Sequence, residues 1–327
     1  MKRNKNDDIC DVNQIYNGSY EYFLPRKTLE EWLNGKDLYH PYKYSPQEKK
    51  NLQEDIRGIY QKMILEQSKD NSPAKPVAII TAGASGAGKS TLIKQDLENI
   101  YVYVSGSDVC LKNQIRTYQN DLQSSDQSLF SRQNIYSKWK PSARAAKHLI
   151  LGNMIRDKKS FCLGSTCTDS TTGHFFEFLK KQGYQIKLIY VAASDETRWN
   201  SIQERNKTFA QRRRSKQSIK KSSLFLAENI HIFLTYADEI TFFYRKNAHE
   251  KANLAACWTR NKTPSEALGT LQIFSPIAYT EVKKIHNTAT KTLKRPDLDW
   301  KTSLEIRSKS LKPPSITHKT KLKRINI

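Results

Sequence analysis

The sequence predicts an α/β protein in which a mostly parallel sheet lies between two layers of helices, and two observations carry this prediction. From residue 76 onward, short apolar segments alternate with segments of helical periodicity. The first apolar segment runs directly into a glycine-rich turn that opens one of the helical segments. Strands that alternate with helices of roughly 10–15 residues are typical of parallel sheets covered on both faces.

The predicted elements follow one another in a regular order. The strands are residues 76–83, 100–106, 160–165, 184–193 and 239–245. The helices cover about 91–99, 141–157, 173–182, a segment capped by Ser194 and Asp195, and about 224–236.

Two extensions flank this core, so we predict three parts. Residues 1–75 are an N-terminal extension with one amphipathic helix, opened by the capping signal Ser45-Pro46-Gln47-Glu48. Its apolar face consists of Leu52, Ile56, Ile59 and Met63. Residues 76–260 form the α/β domain. Residues 261–327 form a helical segment and a basic tail, which we expect to be flexible beyond about residue 293 because it is rich in Lys, Ser and Pro.

The composition indicates a reducing compartment. The five cysteines are scattered and odd in number, without the paired spacing of a zinc site, which argues against a disulfide framework. No apolar run approaches the roughly 20 residues of a membrane span, and the charged N-terminus lacks the apolar stretch of a signal peptide. We therefore expect a cytoplasmic protein, with export by a signal-independent route as the alternative.

The charge predicts anionic partners. The chain carries 55 Lys and Arg against 32 Asp and Glu, a net charge of +23. Residues 205–221 hold eight basic residues and no acidic one. Such a field attracts nucleotides, nucleic acid or anionic lipid, although a lysine-rich surface can also serve solvation alone.

A phosphate-binding motif stands at the end of the first strand. Residues 83–90 fit the pattern G-x-x-x-x-G-K-[ST], between an apolar strand and a helix. The glycines let backbone N–H groups surround a polyphosphate, Lys89 adds a charge for the β- and γ-phosphates, and Ser90 offers a hydroxyl to Mg²⁺. We predict binding of ATP or GTP with Mg²⁺ at Gly83, Ala84, Ser85, Gly86, Ala87, Gly88, Lys89, Ser90 and Thr91.

Further residues suit phosphoryl transfer. Asp108 follows the second strand, where a carboxylate could accept the proton of an attacking hydroxyl; a turn or cap role is the alternative. Arg205 and the run Arg212, Arg213 and Arg214 suit a lid that neutralises the transferred phosphoryl group, although a nucleic-acid or solvent-facing loop would look alike. Arg245 ends the last predicted strand and Asn247 follows it, at a place where many P-loop kinases contact adenine.

Together these features resemble the zeta toxin family, over roughly residues 76–246. The phosphate motif, Asp108 and the stretch from Lys180 to Arg205 carry the resemblance. Members of that family are kinases with a P-loop that phosphorylate UDP-N-acetylglucosamine on its 3′-hydroxyl. The resemblance implies a P-loop kinase-like three-layer fold, Asp108 as the group that activates the acceptor hydroxyl, and Arg205 and Arg213 as the phosphate-neutralising arginines. Arg212 or Arg214 could stand in for Arg213. An antitoxin is the partner that the resemblance implies.

Two positions depart from the family pattern. Leu163 stands where the family has a Glu that holds the sugar, and Lys147 stands at a second carboxylate position. These replacements make the acceptor pocket less acidic and favour a more anionic acceptor.

The predicted function is therefore a kinase for a small molecule, UDP-N-acetylglucosamine or a related nucleotide sugar. One alternative is a kinase acting on polynucleotide ends, suggested by the charge and by Trp258 and Trp300. Another is a nucleotide-binding effector or interaction protein with little catalytic turnover.

Overall fold

Strand β1 (Val77–Ala82) is buried along its whole length, because parallel strands flank it on both sides and apolar clusters cover both of its faces. The computed structural model describes residues 45–48, 50–52, 54–55, 58, 75–96, 103–104, 115–156, 158–168, 171–208, 215–262 and 267–311. Within these residues one sheet has the strand order β2-β3-β1-β4-β5-β6-β7-β8.

The first five strands are parallel. They are β1, β2 (Tyr103–Val104), β3 (Phe161–Leu163), β4 (Gln185–Ala193) and β5 (Glu239–Arg245). Each lies within a segment that the sequence predicts as a strand, and the α/β fold with a mostly parallel sheet is confirmed.

Three further strands extend the sheet past β5. They are β6 (Asn253–Arg260), β7 (Gly269–Ile273) and β8 (Ser308–Leu311). β6 is antiparallel to both β5 and β7, whereas β8 is parallel to β7. The sheet thus continues beyond residue 260, which is the predicted end of the α/β domain.

Eight α-helices are described beyond the N-terminal segment. They are α1 (Lys89–Asp96), α2 (Arg116–Gln123), α3 (Leu129–Arg156), α4 (Thr172–Lys181), α5 (Asp195–Thr208), α6 (Lys216–Glu228), α7 (Ile230–Tyr236) and α8 (Pro276–Leu293). On one face of the sheet, α1 packs on Val77, Ile79 and Val191. On the other face, α3, α4, α7 and α8 pack on a larger aromatic cluster. The helices and sheet form three layers.

Two helix boundaries differ from the prediction. The helix expected near residue 141 begins at Leu129, because Ser128 supplies the N-cap: its hydroxyl accepts a hydrogen bond from Ser131 N at 3.1 Å. The helix expected over 224–236 is two helices that meet at Asn229, whose side chain donates to the carbonyl of Cys167 at 2.9 Å.

The N-terminal helical segment begins as predicted. Ser45 N donates to the Glu48 carboxylate at 2.8 Å, and Glu48 N donates to the Ser45 hydroxyl at 3.2 Å. Asp55 in turn accepts from the backbone of Arg116 at 2.8 Å and so caps α2. Ile56, Ile59, Met63 and residues 28–31 lie outside the described residues.

The expectation of a flexible chain beyond residue 293 is wrong for residues 294–311. Trp300 is fully buried, and its indole N–H donates to the Tyr279 hydroxyl at 2.8 Å. Its ring also packs against Phe242 and His286. A single large aromatic side chain anchors this polar segment on α8 and the sheet. Residues 312–327 lie outside the described part of the chain.

No helix within the described ranges is both long enough and apolar enough to span a bilayer.

Candidate active site

The loop from Gly83 to Ser90 connects β1 to α1 at the carboxyl end of the parallel strands. Gly83 N donates to the carbonyl of Thr166 at 3.0 Å, which ties the loop to the chain after β3. Ala87 N donates to Ala84 O at 3.2 Å and closes a turn within the loop. The loop therefore lies at the sheet edge where open α/β proteins bind ligands.

Two glycines in the loop adopt a backbone conformation that other residues rarely accept. Gly86 has φ +86° and Gly88 has φ +95°. A β-carbon at Gly86 would come 2.4 Å from Arg198 O, and one at Gly88 would come 2.9 Å from the Arg245 guanidinium. Both glycines are required by backbone conformation and by close packing, as a phosphate-binding loop needs.

Lys89 lies across its own loop. Its Nζ donates to Gly83 O at 2.6 Å and to Ala84 O at 3.1 Å. The ammonium group is therefore held beside the backbone of the loop, where a bound polyphosphate would offer it stronger, charged acceptors.

Ser90 and Thr91 are exposed in the first turn of α1. Mg²⁺ prefers oxygen ligands and commonly takes several of them from water and substrate phosphates, so the Ser90 hydroxyl fits as one ligand of an ion that arrives with a nucleotide. In the described part of the chain, no cluster of three His, Cys, Asp or Glu residues offers a separate metal site.

The chain segment directly after β3 also borders the loop, and we did not predict this from the sequence. The Thr81 hydroxyl donates to Ser165 O and accepts from Ser165 N, both at 2.9 Å. Beyond it, the hydroxyl oxygens of Thr166 and Thr168 lie 3.0 Å apart. The Ser- and Thr-rich sequence directly after a predicted strand is the signal that could have identified this group of hydroxyl side chains beside the loop.

The two departures from the family pattern are both buried. Leu163 pairs with Ile80 across the sheet, is fully buried and belongs to the apolar core. Lys147 lies in α3 with only 4% of its surface exposed. Leu163 supplies no polar group to an acceptor pocket, and Lys147 carries the opposite charge to a carboxylate.

Arg198 packs beneath the loop. Its side chain is 1% exposed. The guanidinium donates to Ile219 O at 3.0 Å and to the Ser222 hydroxyl at 3.2 Å, and it pairs with Asp195. Burial lowers the pKa of this guanidinium, an effect that the Asp195 hydrogen bond opposes. Arg198 thereby joins the start of α5 to α6.

The remaining predicted catalytic residues are described only in part. Arg205 lies half-buried near the end of α5. Asp108, Arg212, Arg213 and Arg214 lie outside the described residues, so their roles stay predictions.

Arg245 is turned toward the loop. Its guanidinium donates to Gly86 O at 3.4 Å and to the Ser201 hydroxyl at 3.1 Å. Asn247 instead organises the turn after β5, since its side-chain oxygen accepts from the backbone of His249 and Glu250, each at 3.1 Å.

Solved structures of similar fold include two of the AvrRxo1-ORF1:AvrRxo1-ORF2 complex. The one with sulphate ions has 12% identity and a TM-score of 0.54, covering 83% of this chain and 88% of that chain. The one with ATP has 11% identity and a TM-score of 0.52, covering 70% of each. A structure of the PezAT chromosomal toxin–antitoxin system of Streptococcus pneumoniae has 16% identity and a TM-score of 0.45, covering 77% of this chain and 97% of that chain.

No curated protein matches the sequence. A profile of the zeta toxin family, in contrast, matches residues 61–253, which include the loop, the strands β1 to β5 and the start of β6. The resemblance predicted from the motifs is confirmed, and the chain belongs to the zeta toxin family.

Proposed function

We propose that the protein is a kinase that transfers the γ-phosphate of ATP or GTP, with Mg²⁺, to a hydroxyl of a small anionic acceptor. The observation that carries the proposal is the loop Gly83–Ser90, with left-handed conformations at Gly86 and Gly88 and with Lys89 held beside its backbone. Membership of the zeta toxin family supports a toxin of the P-loop kinase type.

The loop residues would hold and polarise the nucleotide. Backbone N–H groups and the N-terminus of α1 favour the phosphate charge, and Lys89 would exchange its carbonyl acceptors for phosphate oxygens. Mg²⁺, held in part by Ser90, would neutralise charge on the transferred group.

The transfer step needs a base and further cations. The acceptor hydroxyl oxygen forms a bond to the γ-phosphorus while the bond to the β–γ bridging oxygen breaks, releasing the nucleoside diphosphate. We assign the hydroxyl proton to the Asp108 carboxylate and the stabilisation of the phosphoryl charge to Arg205 and Arg213, with Arg212 or Arg214 as substitutes.

The acceptor is a nucleotide sugar or a related small anion. UDP-N-acetylglucosamine is the family's acceptor, but Leu163 lies in the core and Lys147 replaces a carboxylate with a cation. Both changes favour an acceptor with more negative charge. An antitoxin-like protein is the proposed partner, by family membership.

The polynucleotide alternative loses one of its supports. Trp258 and Trp300 are both fully buried, so neither offers a ring on which a base could stack. The basic charge remains, which keeps oligonucleotides in the test below.

The test is transfer of label from γ-labelled ATP, with Mg²⁺, to a panel of UDP-sugars, nucleosides and short oligonucleotides. A labelled UDP-sugar or similar small anion supports the proposal. Labelled oligonucleotide ends alone would establish the polynucleotide kinase instead. ATP binding with no labelled acceptor in the panel would favour the nucleotide-binding effector.

A further inference from the structure

Arg245 is a buried cation whose hydrogen-bond acceptors are all neutral. Only 8% of its surface is exposed. Its Nε donates to Glu250 O at 3.1 Å, and its two terminal nitrogens donate to Gly86 O, the Ser201 hydroxyl and Ala248 O. Within the described residues, no carboxylate forms an ion pair with it.

This arrangement differs from that of the neighbouring buried arginine. Arg198 has the Asp195 carboxylate as its counter-charge. A guanidinium cannot lose its proton in a protein, so a buried one requires a compensating anion or carries a large desolvation cost. Burial is accordingly the cause that lowers the pKa of Arg245.

The position of Arg245 indicates where the missing negative charge belongs. Arg245 is the last residue of β5 and pairs with Ala193 of β4, the strand that separates it from β1. Because Ala193 is small, the Arg245 side chain can reach over the end of β4 to the loop. One of its terminal nitrogens lies 2.9 Å from where a β-carbon of Gly88 would be.

We propose that the counter-charge of Arg245 is the polyphosphate of the bound nucleotide, so that Arg245 is a positioning residue that adds fixed positive charge behind the phosphate-binding loop. It acts through the loop backbone at Gly86 and Gly88 and recognises phosphate charge, not the base. The inference rests on the proposed nucleotide-binding function of that loop.

The test measures the affinity of the full chain for ATP, ADP, AMP and inorganic triphosphate by calorimetry. Three variants are compared: Arg245→Gln removes the charge, Arg245→Lys keeps it, and Arg260→Gln is the matched control. Arg260 also donates to backbone carbonyls, those of Ala237 and Leu234. It ends β6 beside the start of β5, whereas Arg245 is at the opposite end of β5.

We expect Arg245→Gln to bind ATP and inorganic triphosphate about tenfold more weakly, with a smaller loss for ADP and a smaller one still for AMP. Arg245→Lys should stay within about threefold of the wild type because it keeps the positive charge, and Arg260→Gln should bind as the wild type does. Should Arg245→Gln not fold, the Lys variant alone decides, since a tenfold loss there would overturn the role of charge.

Two other results would overturn the inference. One is unchanged triphosphate affinity in folded Arg245→Gln; the other is a loss for ATP without a loss for inorganic triphosphate, which would assign Arg245 to the base. Wild-type protein that binds none of these ligands would instead refute the proposed nucleotide-binding function itself.

Discussion

The carbonyl oxygen of Arg198 lies so close to Gly86 that a β-carbon at position 86 would come within 2.4 Å of it. The loop Gly83–Ser90 is thus in direct contact with the first turn of α5, the helix that also carries Arg205. The Arg198 side chain extends this contact to α6, which begins directly after the predicted lid arginines. The loop and the start of α6 are therefore both in contact with Arg198.

Gly86→Ala should disturb this contact. The substitution places a side chain at φ +86° and forces the loop away from Arg198, so we expect a loss of about 1–3 kcal/mol in the free energy of unfolding and at least about tenfold weaker ATP binding. Gly183→Ala is the matched control, because Gly183 has φ +84° but nothing within 4 Å of an added β-carbon. Denaturant unfolding and calorimetry give both quantities. ATP binding by Gly86→Ala at wild-type strength would show that the loop does not depend on this packing.

Asp108→Asn should separate binding from chemistry. If Asp108 takes the acceptor proton, the variant binds ATP within about threefold of the wild type but transfers phosphate about 10²–10⁴-fold more slowly. Single-turnover transfer measures the step. Asp297→Asn removes an exposed carboxylate paired with Arg295 and serves as the control. Unchanged turnover in Asp108→Asn would place the base elsewhere.

The proposed phosphate-neutralising arginines should affect the rate more than nucleotide affinity. For Arg205→Ala and Arg213→Ala we expect turnover to fall about 10²–10³-fold, because the positive charge matters most as the phosphoryl group is transferred. Initial rates at saturating ATP, with exposed Arg295→Ala as the control, test this. A neutral result at Arg213 would move the role to Arg212 or Arg214.

His286 should make stability depend on pH. Burial lowers its pKa from 6.5 to about 4, and its Nε2 lies 2.7 Å from Leu298 O, so the neutral ring donates from Nε2. Between pH 6.5 and 4 the unfolded chain binds a proton that the folded chain does not. The free energy of unfolding therefore falls as the pH drops through this window, by about 3 kcal/mol in total from this group.

The comparison with His286→Gln isolates this contribution from that of the carboxylates. Denaturant unfolding at a series of pH values should give a shallower decline for the variant than for the wild type. Parallel curves for the two proteins would contradict a buried neutral histidine.

Much of the sheet and the loop could be predicted because short, continuous stretches of the sequence determine each of them. The apolar runs at 77–82 and 185–193 mark buried strands, and the spacing of Gly83, Gly88 and Lys89 marks the loop. The capping signal at Ser45 is equally local. These patterns need no knowledge of the rest of the fold.

Other features of the fold and the site could not be predicted, because they depend on contacts between residues that are far apart in the sequence. Trp300 orders a segment of polar composition only because Tyr279 and Phe242 surround it. The orientation of Arg245 toward the loop depends on the order of β1, β4 and β5 in the sheet. No local pattern in the sequence expresses either relationship.

The most direct test of the proposed kinase activity is transfer of the γ-phosphate by the wild type and by Lys89→Ala, with the best acceptor found in the panel. We predict transfer by the wild type and a loss on the order of 10²-fold or more in Lys89→Ala, while the thermal stability of the variant stays near that of the wild type. Full transfer activity in folded Lys89→Ala would contradict the claim that this loop carries out the reaction.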